Sequence, residues 1–311
     1  MPQLLMSTSC TIILILITSI VSTLATENAA KKLVAESKEV NPEEVKNSDS
    51  FKMETILLPL ANIINLDKLL EFAVLIKDKA SPNPISILSV VPNDEQAEVN
   101  IAQAKNKLED FVKLASATET MVNITATIDE DVASGISRKS KELIADVIVM
   151  GWPTSSGNNE VIGKKMGEII NGVTKTVFLC QVVKPWATHQ RILIAAPQNV
   201  ERMEGFELWT KKAVRMSEEL SVPILVHCSE ETKDAILELV DSLKLKAPFE
   251  FDIFNNWEDF LVISKNVRPD DVVMLITSRK DSVAYQPVLD QIPMKMEVYF
   301  KENTKIMVFP Q

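Results

Sequence analysis

Two kinds of apolar pattern divide the chain. From Leu4 to Ala25 there are 22 residues without a charge, close to the roughly twenty that cross a bilayer as a helix. Met1 to Ser9 holds no Lys or Arg, whereas Lys31, Lys32 and Lys38 follow the run. A secretion signal has the opposite order, with its positive residues ahead of the apolar core. The positive-inside rule keeps the lysine-bearing end in the cytoplasm. The pattern predicts a transmembrane helix over residues 1–27, with an atypical signal and a buried helix as the alternatives. Thr8, Ser9, Thr11, Thr18, Ser19, Ser22 and Thr23 suit a helix packed on other helices. The expectation is the last span of a membrane domain whose other helices lie outside this chain. Residues 28–53, charged and containing Asn41-Pro42, read as a linker.

From Glu54 the period changes. "TILLPLA" (55–61) is a short apolar run of the kind that forms a buried strand. Leu66, Leu69, Leu70, Ala73, Val74 and Ile76 then recur at helical spacing. "PISILSVVP" (84–92), "MVNITATID" (121–129), "DVIVMG" (146–151) and "KTVFLCQVV" (175–183) read as further strands, with helices over 95–117 and 132–145 between them. Strand–helix alternation predicts right-handed parallel β-α-β units. The order then restarts: "RILIAAP" (191–197), "PILVHCS" (223–229), "DDVVMLI" (270–276) and "TKIMVFP" (304–310) echo the earlier strands. An offset of roughly 125–137 residues means two copies of a domain and not a solenoid. The copies are expected over 54–184 and 190–311, divided near Lys184-Pro185-Trp186, where proline stops the fifth strand.

Charge and reactive residues narrow the function. The net charge is −10 and no basic block exceeds a pair, which argues against a nucleic-acid partner. Cys10, Cys180 and Cys228 are scattered, and the histidines are only His189 and His227. Neither a disulfide scaffold nor a metal site is expected from such spacing. Asp129-Glu130-Asp131 and Asp270-Asp271 fall at strand ends and read as caps rather than acid–base groups. Asn123-Ile124-Thr125 fits a glycosylation acceptor, but it lies inside a predicted strand. No nucleophile has a base near it, so no enzyme activity is expected.

"DVIVMG" ahead of a polar loop, within five β-α units, resembles the universal stress protein family over residues 53–183 and more weakly over 190–311. The resemblance implies an α/β fold of two tandem doubly wound five-stranded parallel-sheet domains, each of order 3-2-1-4-5. A membrane helix followed by such a tandem, closed by "KIMVFPQ", resembles the C-terminal region of bacterial monovalent cation/proton antiporters. That implies a non-catalytic regulatory region on the cytoplasmic side of the inner membrane. Its partner would be a transport domain of the same or a split polypeptide. A homodimer through the fifth-strand edges is expected as well, because an unpaired edge is a pairing surface. The alternative is a stand-alone stress protein sensing ATP or a cyclic dinucleotide.

In such sheets a ligand sits at the carboxyl ends of the strands where the order reverses, here after Ala61-Asn62 and from Gly151 onward. The family's nucleotide-binding members carry a G-x-x-G-x9-G-[S/T] loop there, and "GWPTSSGNNEVIGKKMGEI" keeps half of it. Gly151 matches the first glycine, Thr154 stands at the second, Gly163 is one residue early for the third, and Lys164 is at or beside the Ser/Thr. Ala61 occupies the family's acidic position. Ser155, Ser156, Asn158 and Asn159 offer hydrogen bonds, and Lys164 and Lys165 offer charge at a helix start. Pro153 lacks an N–H and Trp152 adds bulk. The candidate binding residues are therefore Asn62, Gly151, Thr154, Gly163, Lys164 and Lys165. No cofactor is the expectation, with ATP or another adenine nucleotide at repeat one as the alternative. The corresponding loop of repeat two, "ITSRKDSVAYQP", has no glycine to cradle a phosphate; its expected role is to pair with repeat one.

Overall fold

The computed structural model describes residues 53–60, 65–115, 121–153 and 162–311. The expected span (1–27) and nearly all of the expected linker (28–53) lie outside the described residues. Among the described residues no helix is long and apolar enough to cross a membrane.

Met53–Gln311 is one compact unit. Its first half runs β1 (Ile56–Pro59), α1 (Leu66–Ile76), β2 (Ile85–Pro92), α2 (Ala97–Ala115), β3 (Val122–Asp129), α3 (Val132–Glu142), β4 (Val147–Gly151), α4 (Lys164–Gly172) and β5 (Thr176–Gln181). The second half runs β6 (Arg191–Ala195), α5 (Phe206–Leu220), β7 (Ile224–Cys228), α6 (Glu230–Ser242), β8 (Phe249–Ile253), α7 (Leu261–Ser264), β9 (Asp271–Ile276), α8 (Ile292–Tyr299) and β10 (Thr304–Phe309). All strands join one sheet of order β3-β2-β1-β4-β5-β10-β9-β6-β7-β8. Each half thus has the order 3-2-1-4-5, and the two are joined fifth strand to fifth strand.

That junction corrects one expectation. The fifth-strand edges do not await a second copy; β5 and β10 pair antiparallel within the chain, with Cys180 opposite Ile306 and Phe178 opposite Val308. The physical reason is in the residues. β10 is buried along its whole length and β5 along all but its last residue. Leaving either edge open would strand backbone N–H and C=O groups beside apolar side chains. The sheet edges are β3 and β8 instead.

Side chains alternate across the sheet, so each strand feeds two cores. Ile56 and Leu58 join a cluster with α1, α2, α5 and α6 on one face. Leu57 joins the opposite cluster, with α3, α4, α7 and α8. On the first face the two halves are pinned by a buried ion pair. The Lys212 ammonium of α5 meets the Glu54 carboxylate just before β1 and donates to the carbonyl of Ile76 at 2.9 Å. Between the halves, Trp186 stacks on Phe72 at 5.6 Å and is buried with His189, so this connection packs into the core.

Capping takes up part of the acidic patterning. Asp131 caps α3 by accepting from the Ser134 N–H at 2.9 Å. Asp271 does not cap a helix. It is fully buried and holds Arg191 of the adjacent strand by two bonds, 3.0 Å from Nε and 2.7 Å from Nη2, and accepts the Arg268 N–H at 2.8 Å.

Candidate functional site

The reversal point of the first half lies between β1 and β4, which pair in parallel. Gly151 ends β4 there, opposite Cys180 of β5. A Cβ on Gly151 would meet Leu69 Cδ1 at 3.6 Å, an ordinary contact, so close packing does not demand a glycine. Trp152 follows; its N–H donates to Cys180 O at 2.9 Å. The ring packs on the cluster shared with the second half. The Lys305 ammonium of β10 lies 5.6 Å from the ring centre and 3.6 Å from Glu297 Oε1. Burial pushes the Lys305 ammonium down and Glu297 opposes that shift. The bulk at position 152 therefore serves contact between the halves.

Asn62 and Thr154 lie outside the described residues, as do Ser155, Ser156, Asn158 and Asn159. Gly163 precedes α4 with an ordinary extended backbone (φ −69°, ψ 171°), and a Cβ there would meet nothing within 4 Å. The conformational freedom of glycine is thus not used at this position. Lys164 and Lys165 begin α4 and are exposed, and Lys164 lies 3.9 Å from Glu168 one turn on.

Gly163 and Lys164 line a cleft of about 630 Å³, while Gly151 and Lys165 do not. The other wall comes from the second half: Thr277, Ser278, Arg279 and Lys280 after β9, then Asp290 and Lys295 around the start of α8. The cleft lies between α4 and α8, on the opposite face of the sheet from the Glu54–Lys212 pair. Arg279 ties its walls together. Nη2 donates to Lys175 O at 2.7 Å, Nε to Ile170 O at 3.3 Å, and Nη1 to Pro310 O. The guanidinium is fixed on three carbonyls, and its burial lowers its pKa. Ser278 is buried, and its hydroxyl has no hydrogen-bond partner among the described residues. Reading the sequence for glycines missed this wall. The signal was the Arg279-Lys280 pair, two residues past an apolar strand.

Other reactive groups are shielded. Burial pushes the Cys228 thiol up to about 12 and drives that of Cys180 further. His189 is buried with Nδ1 3.1 Å from Trp186 O, and burial lowers its pKa. His227 is buried, 3.1 Å from Asp252 Oδ2; burial lowers its pKa against the pull of that carboxylate. Among the described residues no group of three or more His, Cys, Asp or Glu is placed to hold a metal.

A universal stress protein from Archaeoglobus fulgidus overlays 84% of this chain and 99% of its own, with a TM-score of 0.56 at 11% identity. The fold is that of tandem universal stress proteins. The cytoplasmic domain of a prokaryotic cation chloride cotransporter shares this universal stress protein fold, covering 82% of this chain and 95% of its own, with a TM-score of 0.52 at 12% identity. In sequence, the Na(+)/H(+) antiporter NhaS5 of Synechocystis is 32% identical over 102 residues. That match spans 32% of this chain and 15% of the antiporter. No family model matches the sequence.

Proposed function

We propose that this chain is the cytoplasmic regulatory region of a membrane monovalent cation/proton antiporter, with its universal stress protein-like halves acting as a non-catalytic module. The observation that carries the reading is the 102-residue similarity to a Na(+)/H(+) antiporter. Two further facts support it. A cotransporter's cytoplasmic domain is built on the same fold, and the uncharged Leu4–Ala25 run followed by lysines suits a span with its C-terminal side in the cytoplasm. A lone span carries no ion path of its own, so the partner is a transport domain. The non-catalytic part of the proposal rests on chemistry. Both described thiols are held protonated by burial and both histidines are enclosed, which removes the usual nucleophiles and bases from solvent.

The test is location and sidedness. Membranes of the source organism are washed with alkaline carbonate, and right-side-out and everted vesicles are treated with protease. The chain stays with the membrane, and residues 53–311 are cleaved only in everted vesicles. Recovery in the soluble fraction, or cleavage from the outside, refutes the proposal and favours a stand-alone stress protein.

A further inference from the structure

We infer that the outer edge of β3 is a self-pairing surface, through which two copies of this chain join antiparallel about a two-fold axis into one continuous sheet. This goes beyond the transport proposal and stands independently of it.

The sheet ends at β3 and β8, and among the described residues no strand pairs with the outer side of either. Edges are kept from pairing by shortness, charge or proline. β8 has two of these protections: it is five residues long and carries Glu250 and Asp252, both exposed. β3 has neither. It runs for eight residues without proline or lysine, five of them are β-branched, and its one charge is the last residue, Asp129. That carboxylate is already engaged, accepting from Arg138 Nε at 3.0 Å.

The backbone fixes the register. Met121 O accepts the Ile85 N–H at 3.0 Å and Asp129 O accepts the Asn93 N–H at 2.9 Å. The odd-numbered residues of β3 therefore turn their backbone groups toward β2, and Val122, Ile124, Ala126 and Ile128 turn theirs outward. Ile128 O takes Arg138 Nη2 at 3.0 Å and keeps its second lone pair. A two-fold axis at Thr125 sets Ile124 opposite Ala126 and Val122 opposite Ile128, so each outward residue meets another. Val122 and Ile124, half-buried against the first core cluster, gain apolar partners on that face. On the other face Thr125 meets Thr125 and Asn123 meets Thr127. Such cross-strand pairs are favourable, and no like charges meet. The same operation fails at β8. Pro248 O accepts the Ile224 N–H at 2.9 Å, so Phe249, Phe251 and Ile253 face outward. An axis at Phe251 then sets Glu250 opposite Asp252 twice, and like charges directly opposite repel. A second copy fits β3 and is turned away by β8.

The full 311-residue chain, kept in mild detergent, is followed by light scattering from about 1 to 100 μM, the range suited to a small interface. The parent dimerises reversibly. Thr125→Asp, which sets two carboxylates face to face, weakens dimerisation by about tenfold or more. An unshifted unfolding midpoint in dilute solution shows that the variant is folded. Position is read by disulfide trapping in a Cys10→Ser background, where Cys180 and Cys228 are buried. Thr125→Cys links the copies under mild oxidation, since residues of a non-hydrogen-bonded pair lie about 4.5 Å apart between Cα atoms, within disulfide reach. Asn123→Cys is exposed but sits about 13 Å from its counterpart in this register, and it does not link. A parent that stays monomeric at every concentration overturns the proposal. So does equal dimerisation in Thr125→Asp, which places the contact elsewhere in the chain, and so does linkage at 123 as fast as at 125, which marks random collision.

Discussion

The Glu54–Lys212 pair gives the sharpest test of how the two halves are held. Both side chains are nearly sealed from solvent, at 7% and 5% exposure. The Glu54 carboxylate accepts the Asp78 N–H at 2.8 Å besides meeting the ammonium, and Lys212 reaches across to the end of α1. Burial pushes the Lys212 pKa down, and Glu54 is the first group that opposes this. Lys212→Met therefore leaves a buried carboxylate with one backbone donor, and Glu54→Gln leaves a buried ammonium with carbonyl partners only. Breaking a buried pair on one side costs about 3–5 kcal/mol. For a unit of this size that lowers the midpoint of thermal unfolding by roughly 6–20 °C. Replacing both partners removes the two desolvation costs together, so Glu54→Gln/Lys212→Met recovers most of the loss. Urea unfolding of the four proteins, followed by tryptophan fluorescence, reads the cycle. Either single variant within about 1 kcal/mol of the parent, or a double variant that costs the sum of the two, refutes the argument that this pair staples the halves.

Acidification between pH 7.5 and 5.5 lowers stability. His189 and His227 are held below their ordinary value of 6.5 by burial, so the unfolded chain takes up protons first, and stability falls below about pH 6.5 and returns as pH rises. The slope of unfolding midpoint against pH flattens in His189→Gln/His227→Gln, and an unchanged slope contradicts the assignment. Gly205→Ala destabilises by about 1–3 kcal/mol, because its Cβ would meet Gln311 N and Pro310 Cβ, each at 2.7 Å. Gly167→Ala, inside α4 with nothing within 4 Å, stabilises by roughly 0.5–1 kcal/mol. Chemical denaturation separates the two, and a gain at 205 or a loss at 167 counts against the packing described.

The buried strands were readable because a run such as "DVIVMG" is apolar on both faces, and β4 lies at Val147–Gly151 with every residue but the last buried. β8 escaped notice for the opposite reason. "FEFDI" is an edge strand of half-buried and exposed positions with none fully buried, and no sealed run marks it. Nor did the sequence show where the fifth strands go, because "TVFLCQ" and "TKIMVF" look alike whether they are edges or partners; only the three-dimensional sheet joins them. The glycine pattern directed attention to Gly151 and Gly163, neither of which is held by close contact. The cationic wall at Arg279, Lys280 and Lys295 arises only when residues about 115–130 positions away along the chain fold against α4, a juxtaposition that long-range topology creates.

The central claim is regulation of cation/proton exchange by residues 53–311. It is tested most directly in everted membrane vesicles of the source organism, made with the whole chain or with a version truncated after Lys52. Sodium- and potassium-driven proton release is followed by a pH-sensitive dye across a range of cation concentrations. The account predicts that exchange persists after truncation but that its half-maximal cation concentration or its pH of activation shifts. Identical curves with and without residues 53–311 would contradict it.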